Sequence, residues 1–285
     1  MIPYKDNVLL KYHGHLIDRY EIIDSNLKFC KRYYYQQIDF MKQFFYKYFI
    51  YFVISPNSND IEIVQINENK VNLLDRIITD RGKIMDVIGD LDEDIIAIKR
   101  LNRKYSLNIY TKVEITYQLF DSIKEMYDSL YNIIPNFFLA CNNYKIDVYE
   151  LYNHYLELKK TIHGCFSFLG NIDNKFFVLR EKNYLYIIDV IYFQIIQKIQ
   201  TNSCLIALKD NYLLQINTIS KFDVNIQISK YDLIEGYFKI YKSINKKIKS
   251  KDDLRLKLKY IGKNDDGKYL FIFYVDYYDE IKILI

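Results

Sequence analysis

The chain has 285 residues, half of them apolar, enough to bury a sizeable core in one large domain or two ordinary ones. Its net charge of +4 is too mild for the dense basic face of a dedicated nucleic-acid binder, and no apolar run is long enough to span a bilayer as a helix. Aromatics make up 17%, with 30 Tyr and no Trp, and together with abundant Ile they favour strands.

The N-terminus, MIPYKDN, lacks a charged segment followed by an apolar core, so no secretory leader is expected. A first strand is predicted over Val8 to Tyr12, followed by His13-Gly14. An alternating strand, LKFC, begins at Leu27. Lys31-Arg32-Tyr33-Tyr34-Tyr35 mixes basic and aromatic residues as single-strand stacking platforms do, but reads as one more strand in a Tyr-rich chain. The longest apolar run, near Phe44 to Ile54, is broken by Lys47. The alternating strand recurs at Ile61 (IEIV) and at Leu107 (LNIY). Between them lies the acidic cluster Asp90 to Asp94, which lacks the Gly and distal Glu of a calcium loop and reads as a solvated turn. Ser122 to Asn132 is expected to be a loop and an inner strand.

The most informative stretch is Phe137 to Gly164. Three short alternating runs, Phe137 to Ala140, Ile146 to Leu151 and Leu156 to Ile162, are separated by turns at Asn142-Asn143 and Asn153-His154. Three such strands cannot bury their apolar face alone, so copies of the same unit must stack on them. The marker strand continues at Leu185 (LYII), Ile226 (IQIS) and Ile281 (IKIL). Most markers are about 40 residues apart, the period of a four-stranded propeller blade. Ile77, Ile123 and Ile162 follow Ile61, Leu107 and Ile146 at one constant spacing. Strands preceding the markers recur too: Phe49 to Ile54, Ile95 to Ile98, Phe176 to Leu179, Leu213 to Ile216 and Leu270 to Tyr274.

The expected fold is therefore all-β: a single closed β-propeller over residues 1–285, with seven blades, or six if the Leu27 marker is discounted. The chain ends on a marker strand, so the N-terminal strand is expected to complete the last blade and remove the exposed edges.

Several motifs carry a resemblance. Gly14-His15 matches a Gly-His pair, Asp266-Gly267-Lys268-Tyr269-Leu270 a turn and strand, and Ile188-Asp189-Val190 and Tyr149-Glu150-Leu151 degenerate closing dipeptides. Tyr278 to Leu284 adds an acidic turn and third strand. On these residues the chain resembles a divergent WD-repeat β-propeller. The resemblance implies a non-catalytic scaffold that presents loops and a channel to other proteins. Without Trp, the family's network of Asp, His, Ser or Thr, and Trp cannot be complete, and Tyr is the residue able to supply volume and a hydroxyl.

No catalytic constellation appears: there is no G-x-S-x-G elbow, P-loop or dinucleotide fingerprint. Cys165 and Ser167 follow His163, without a visible third group to orient a base. His13 and His15 would share a strand face but lack two further zinc ligands, and Asp265-Asp266-Gly267 reads as a turn. The scattered Cys30, Cys141, Cys165 and Cys204 read as buried reduced thiols of a cytoplasmic protein. No cofactor, metal or enzymatic activity is expected.

Lys242 to Lys259 is the most basic segment. It reads as a solvated loop and a strand with outward Lys. As an alternative function, Lys246, Lys247, Lys249 and Lys251 would contact an anionic partner, RNA or a phosphoinositide membrane. A second alternative is an enzyme with its site in the central channel.

Overall fold

Every repeat marker lies on the third strand of an antiparallel sheet. The computed structural model describes residues 2–5, 8–23, 26–38, 40–46, 49–55, 60–79, 82–89, 94–203, 205–220, 223–247, 256–263, 269–275 and 279–284. Side chains are described within residues 8–245, outside 9, 22, 24–27, 37, 39–40, 43–59, 80–81, 90–93, 204, 218 and 220–222.

Among the described residues there are seven sheets, each made of consecutive strands. Sheet 1 holds β1 (Ile2–Lys5), β2 (Val8–Ile23) and β3 (Asn26–Ile38). Sheet 2 holds β4 (Phe40–Tyr46), β5 (Phe49–Ser55), β6 (Ile61–Ile66) and β7 (Val71–Ile77). Sheet 3 holds β8 (Lys83–Gly89), β9 (Asp94–Leu101), β10 (Lys104–Val113) and β11 (Thr116–Ile123). Sheet 4 holds β12 (Ser129–Ile134), β13 (Phe137–Cys141), β14 (Lys145–Tyr152) and β15 (Tyr155–His163). Sheet 5 holds β16 (Ser167–Ile172), β17 (Phe176–Glu181), β18 (Tyr184–Asp189) and β19 (Ile195–Gln200). Sheet 6 holds β20 (Leu205–Lys209), β21 (Tyr212–Ser220), β22 (Asp223–Asp232) and β23 (Tyr237–Lys247). Sheet 7 holds β24 (Leu256–Lys263), β25 (Tyr269–Val275) and β26 (Asp279–Leu284).

The recurring spacing has a direct cause. Ile61 faces Ile77, Leu107 faces Ile123 and Ile146 faces Ile162, as cross-strand partners of the third and fourth strands. Ser122 and Ile123 end β11 and Ser129 opens β12, so that segment is the expected loop and strand. The first strand differs from expectation. Val8 to Tyr12 lies within β2, which pairs with β1 at Leu10 and with β3 from Gly14 onward. Local hairpin pairing closes only short loops, which favours it over pairing with a distant strand.

One irregularity repeats in sheets 2 to 6. The register of the fourth strand slips at one place, leaving Leu74, Phe120, Lys159, Ile196 and Tyr241 as the extra residue. Such bulges bend an edge strand and blunt its capacity to recruit another strand. Four of the five extra residues are exposed apolar side chains: Leu74, Phe120, Ile196 and Tyr241.

The chain divides into two units, Met1–Gly164 and Cys165–Ile285. In the first, apolar clusters fill the space between consecutive sheets. Leu10, Ile17 and Tyr33 meet Met41, Val64 and Ile66; Ile61 and Ile63 meet Ile84, Val87 and Ala97; Ile96 and Leu107 meet Leu130, Phe138 and Tyr149. Each fully buried Ile or Leu contributes about 1.5–3 kcal/mol. Both faces of a sheet are used, which explains the nearly continuous apolar runs. The first strands add a polar clasp: Lys42 Nζ donates to Asp86 at 2.8 Å and to the Leu130 carbonyl at 2.8 Å, and Leu130 N–H donates to Asp86 at 2.7 Å. β4, β8 and β12 are thereby tied together. In the second unit, Ile172, Leu185 and Ile187 of sheet 5 meet Leu208 and Leu213 of sheet 6.

The turns depend on residues other than glycine. Asn102-Arg103 and Asn153-His154 join strands with both residues at positive φ, the geometry that follows strand twist in a two-residue hairpin. Glu114, Lys182 and Asp210 also adopt positive φ in hairpin turns. Gly89 is an exception that sterics require: a Cβ there would stand 2.5 Å from the Asp94 carbonyl oxygen.

Candidate functional site

Asp94 opens β9 and is buried, which corrects the expectation that the acidic cluster is a solvated turn; its other members, Asp90 to Glu93, lie outside the described residues. Thr111, its cross-strand partner on β10, donates its hydroxyl to Asp94 at 2.6 Å. The second partner comes from the next sheet. His154 Nδ1 stands 2.9 Å from Asp94 Oδ1 and 3.0 Å from Oδ2. A carboxylate accepts, so Nδ1 carries the proton. The left-handed turn between β14 and β15 is what turns the ring toward sheet 3.

Around that anchor lies an exposed aromatic surface. Phe120, the bulged residue of β11, sits 5.5 Å from the His154 ring and 5.0 Å from Tyr155 in an edge-on arrangement. Tyr152 pairs with Tyr155 across the turn. Phe120, Tyr152 and Tyr155 are 43%, 66% and 61% exposed, far above what packed core rings show. Large rings with few rotamers form a surface that loses little entropy on binding a protein. Asp94, Thr111 and His154 thus form one polar group drawn from two sheets.

A second polar system repeats beneath. In sheets 2 to 4 the residue after the marker's first is polar and meets a polar partner on the fourth strand. Glu62 faces Arg76 (3.1 Å), Asn108 faces Ser122 (2.7 Å) and Asp147 faces Thr161 (2.7 Å). Tyrosine hydroxyls complete two of these: Tyr35 donates to Glu62 at 2.7 Å, and Tyr127 donates to Asp147. These Tyr hydroxyls stand apart from the Asp94–Thr111–His154 group. Asp147 also receives Lys145 Nζ at 2.7 Å. Burial alone would raise its pKa, but the hydrogen bonds from Lys145, Tyr127 and Thr161 hold it below the usual carboxylate value.

The residues singled out in the sequence do not converge. His13 is exposed, with Nε2 3.8 Å from Asp18, and His15 is exposed. Among the described residues no group of three His, Cys, Asp or Glu side chains could hold a metal ion. His163 and Cys165 are exposed, and Ser167 Oγ lies 3.5 Å from the Arg180 carbonyl rather than beside a base. Lys31 to Tyr35 is a strand and no platform. Lys31 donates to the Glu68 carbonyl, Arg32 forks onto Asp18 at 2.6 and 3.0 Å, and Tyr33 is buried. Of the four cysteines, Cys141 is buried as expected, but Cys30 and Cys165 are exposed, and Cys204 lies outside the described residues. Cys30 is exposed because β3 presents alternate residues outward. Lys246 and Lys247 end β23; Lys249, Lys251 and Asp265-Asp266-Gly267 lie outside the described residues. The aromatic surface was not foreseen, since Phe120, His154 and Tyr155 meet only when two sheets stack.

No protein-family model matches the chain, and no curated protein sequence does. Its likeness is to solved structures. A protein of unknown function from Desulfotomaculum acetoxidans superposes with a TM-score of 0.63 at 10% identity, over 97% of this chain and 94% of that one. Hsv2 of Kluyveromyces lactis gives 0.62 at 10% identity, over 100% and 96%. Sqt1 of Saccharomyces cerevisiae gives 0.58 at 10% identity, over 99% and 82%. At this identity the likeness is one of fold: the chain is an all-β protein of stacked antiparallel sheets, and both Hsv2 and Sqt1 are WD40 propellers.

Proposed function

We propose that this chain is a non-enzymatic interaction platform: a single closed propeller of seven WD-repeat-like blades, working in the cytoplasm and binding another protein. The exposed aromatic surface of Phe120, Tyr152 and Tyr155, beside the His154–Asp94 pair, is the observation that carries the reading. Exposed aromatics suit a binding hot spot. The propeller neighbours and their coverage support the architecture. Seven sheets, each with its marker on the third strand, support the blade number. Gentle affinity capture from source cells, followed by mass spectrometry and native sizing, is the test. A stoichiometric protein partner, lost when Phe120 and Tyr155 are both changed to Ser, is the expected result. A monomer with no partner, or a partner indifferent to those changes, overturns it.

A further inference from the structure

The second unit contains a break in the repeat that the interaction surface does not involve. At the residue facing each polar marker position, the second strand carries Ala97, Ala140 and Leu179 in sheets 3 to 5. In sheet 6 it carries Gln215, directly opposite Gln227. Two residues along β22 stands Ser229, where sheets 2 to 5 have Val64, Tyr110, Tyr149 and Ile188. An apolar inter-sheet face has become an amide and hydroxyl face. Departures from a consistent pattern of this kind are expected where a fold serves a ligand.

A cleft of ≈ 640 Å³ lies between β19 and this face of β21 to β23. This size falls in the small-ligand range. Among the described residues its lining holds Gln, Asn, Ser and Thr side chains and no Lys, Arg, His, Asp or Glu. Part of the polar set is already organised. Gln215 Nε2 donates to Thr201 Oγ1 at 2.9 Å and to Ser203 Oγ at 3.2 Å, and Thr201 donates to Ser203 at 3.0 Å. Thr201 and Ser203 are themselves buried. One atom is left over: Gln197 Oε1, on the β19 wall, is buried and has no hydrogen-bond partner. A buried acceptor without a donor costs about 1–3 kcal/mol, and rotation of the Gln197 amide toward the cleft would let a ligand O–H or N–H relieve it. On the opposite wall, Tyr237, Phe238 and Ile240 offer an apolar strip.

We infer that this cleft binds a neutral saccharide, its amides taking ring hydroxyls and the Tyr237–Phe238 strip lying along an apolar sugar face. Amide and hydroxyl side chains each donate and accept, as a polyhydroxyl ligand does. The uncharged described lining disfavours phosphate and carboxylate ligands, and an open cleft of this size admits a sugar edge-on.

Titration calorimetry and saturation-transfer NMR on the full chain, with neutral di- and trisaccharides of glucose, galactose and N-acetylglucosamine, test it. At least one is expected to bind, about tenfold more weakly after Gln215→Leu or Gln227→Leu. Gln215→Leu restores the apolar residue found at that position in sheets 3 to 5, Gln227→Leu removes the facing amide, and circular dichroism checks folding. Should Gln215→Leu not fold, Ser229→Ala reads the same wall. Affinity is expected to hold between about 50 and about 500 mM salt, since no ion pair is made. The inference is overturned if none of these saccharides binds, if binding ignores all the substitutions, if it falls steeply with salt, or if a neutral Asn/Ser peptide binds more tightly than any sugar.

Discussion

His154 reaches out of its own sheet to the Asp94 carboxylate of the next, Nδ1 to Oδ1 2.9 Å. Asp94 is only 4% exposed, so it depends on this bond and on Thr111 for its solvation. His154→Ala should therefore cost about 1 kcal/mol, the modest value reflecting a half-exposed imidazole. Urea denaturation checks this. If the aromatic surface is the binding site, the same change should also weaken partner capture, because Phe120 loses the ring packed beside it.

Phe120→Ser and Tyr155→Ser should behave in the opposite way. Both side chains are largely exposed, so stability should move by no more than about 0.5 kcal/mol each. Binding should fall by about 2 kcal/mol or more for either, the loss typical of a hot spot. Comparing melting curves with partner affinity separates an interface residue from a structural one.

Asp147 should make the protein acid-sensitive. Its carboxyl is held below its ordinary value of 3.8 in the folded chain. A depressed folded pKa means stability that is fully present above the unfolded value and lost as pH falls through the folded one. Denaturation midpoints should therefore drop as pH is lowered below about 4. In Asp147→Asn that part of the slope should vanish, with a baseline loss of about 1–3 kcal/mol because Lys145 loses its partner. An unchanged slope would remove Asp147 as its source.

The cysteines give a fourth test. Burial pushes the Cys141 thiol up to about 12, so almost no thiolate exists at neutral pH. Cys30 and Cys165 are exposed. Labelling with a maleimide under native conditions, followed by peptide mapping, should modify Cys30 and Cys165 and leave Cys141 untouched until denaturant is added.

Much of the sheet structure was legible because period and alternation are local properties. Ile61 and Ile77 announce their pairing by spacing alone, and the same spacing returns at Leu107 and Ile146. Other features depend on what lies beside a strand. Asp94 looks like one more acidic turn residue until Thr111 and His154 close over it. Phe120 looks like an ordinary strand residue until the bulge turns it outward. Gln215 and Gln227 lie on separate strands, and only the register makes them neighbours. The start of β2 was misjudged for a related reason: alternation identifies a strand but not the strand it pairs with.

The turn geometry has a consequence for engineering. Glu114 and Lys182 occupy left-handed turns, at φ 55° and 48°, where a side-chain Cβ crowds its own backbone. That crowding costs about 1–2 kcal/mol, against about 0.5–1 kcal/mol of added chain freedom when glycine replaces it. Glu114→Gly and Lys182→Gly should each raise the melting temperature slightly, with gains that add because the turns lie in different sheets. With 8 glycines in 285 residues, the hairpin turns of this chain hold room for stabilisation that its core, already packed on both sheet faces, does not.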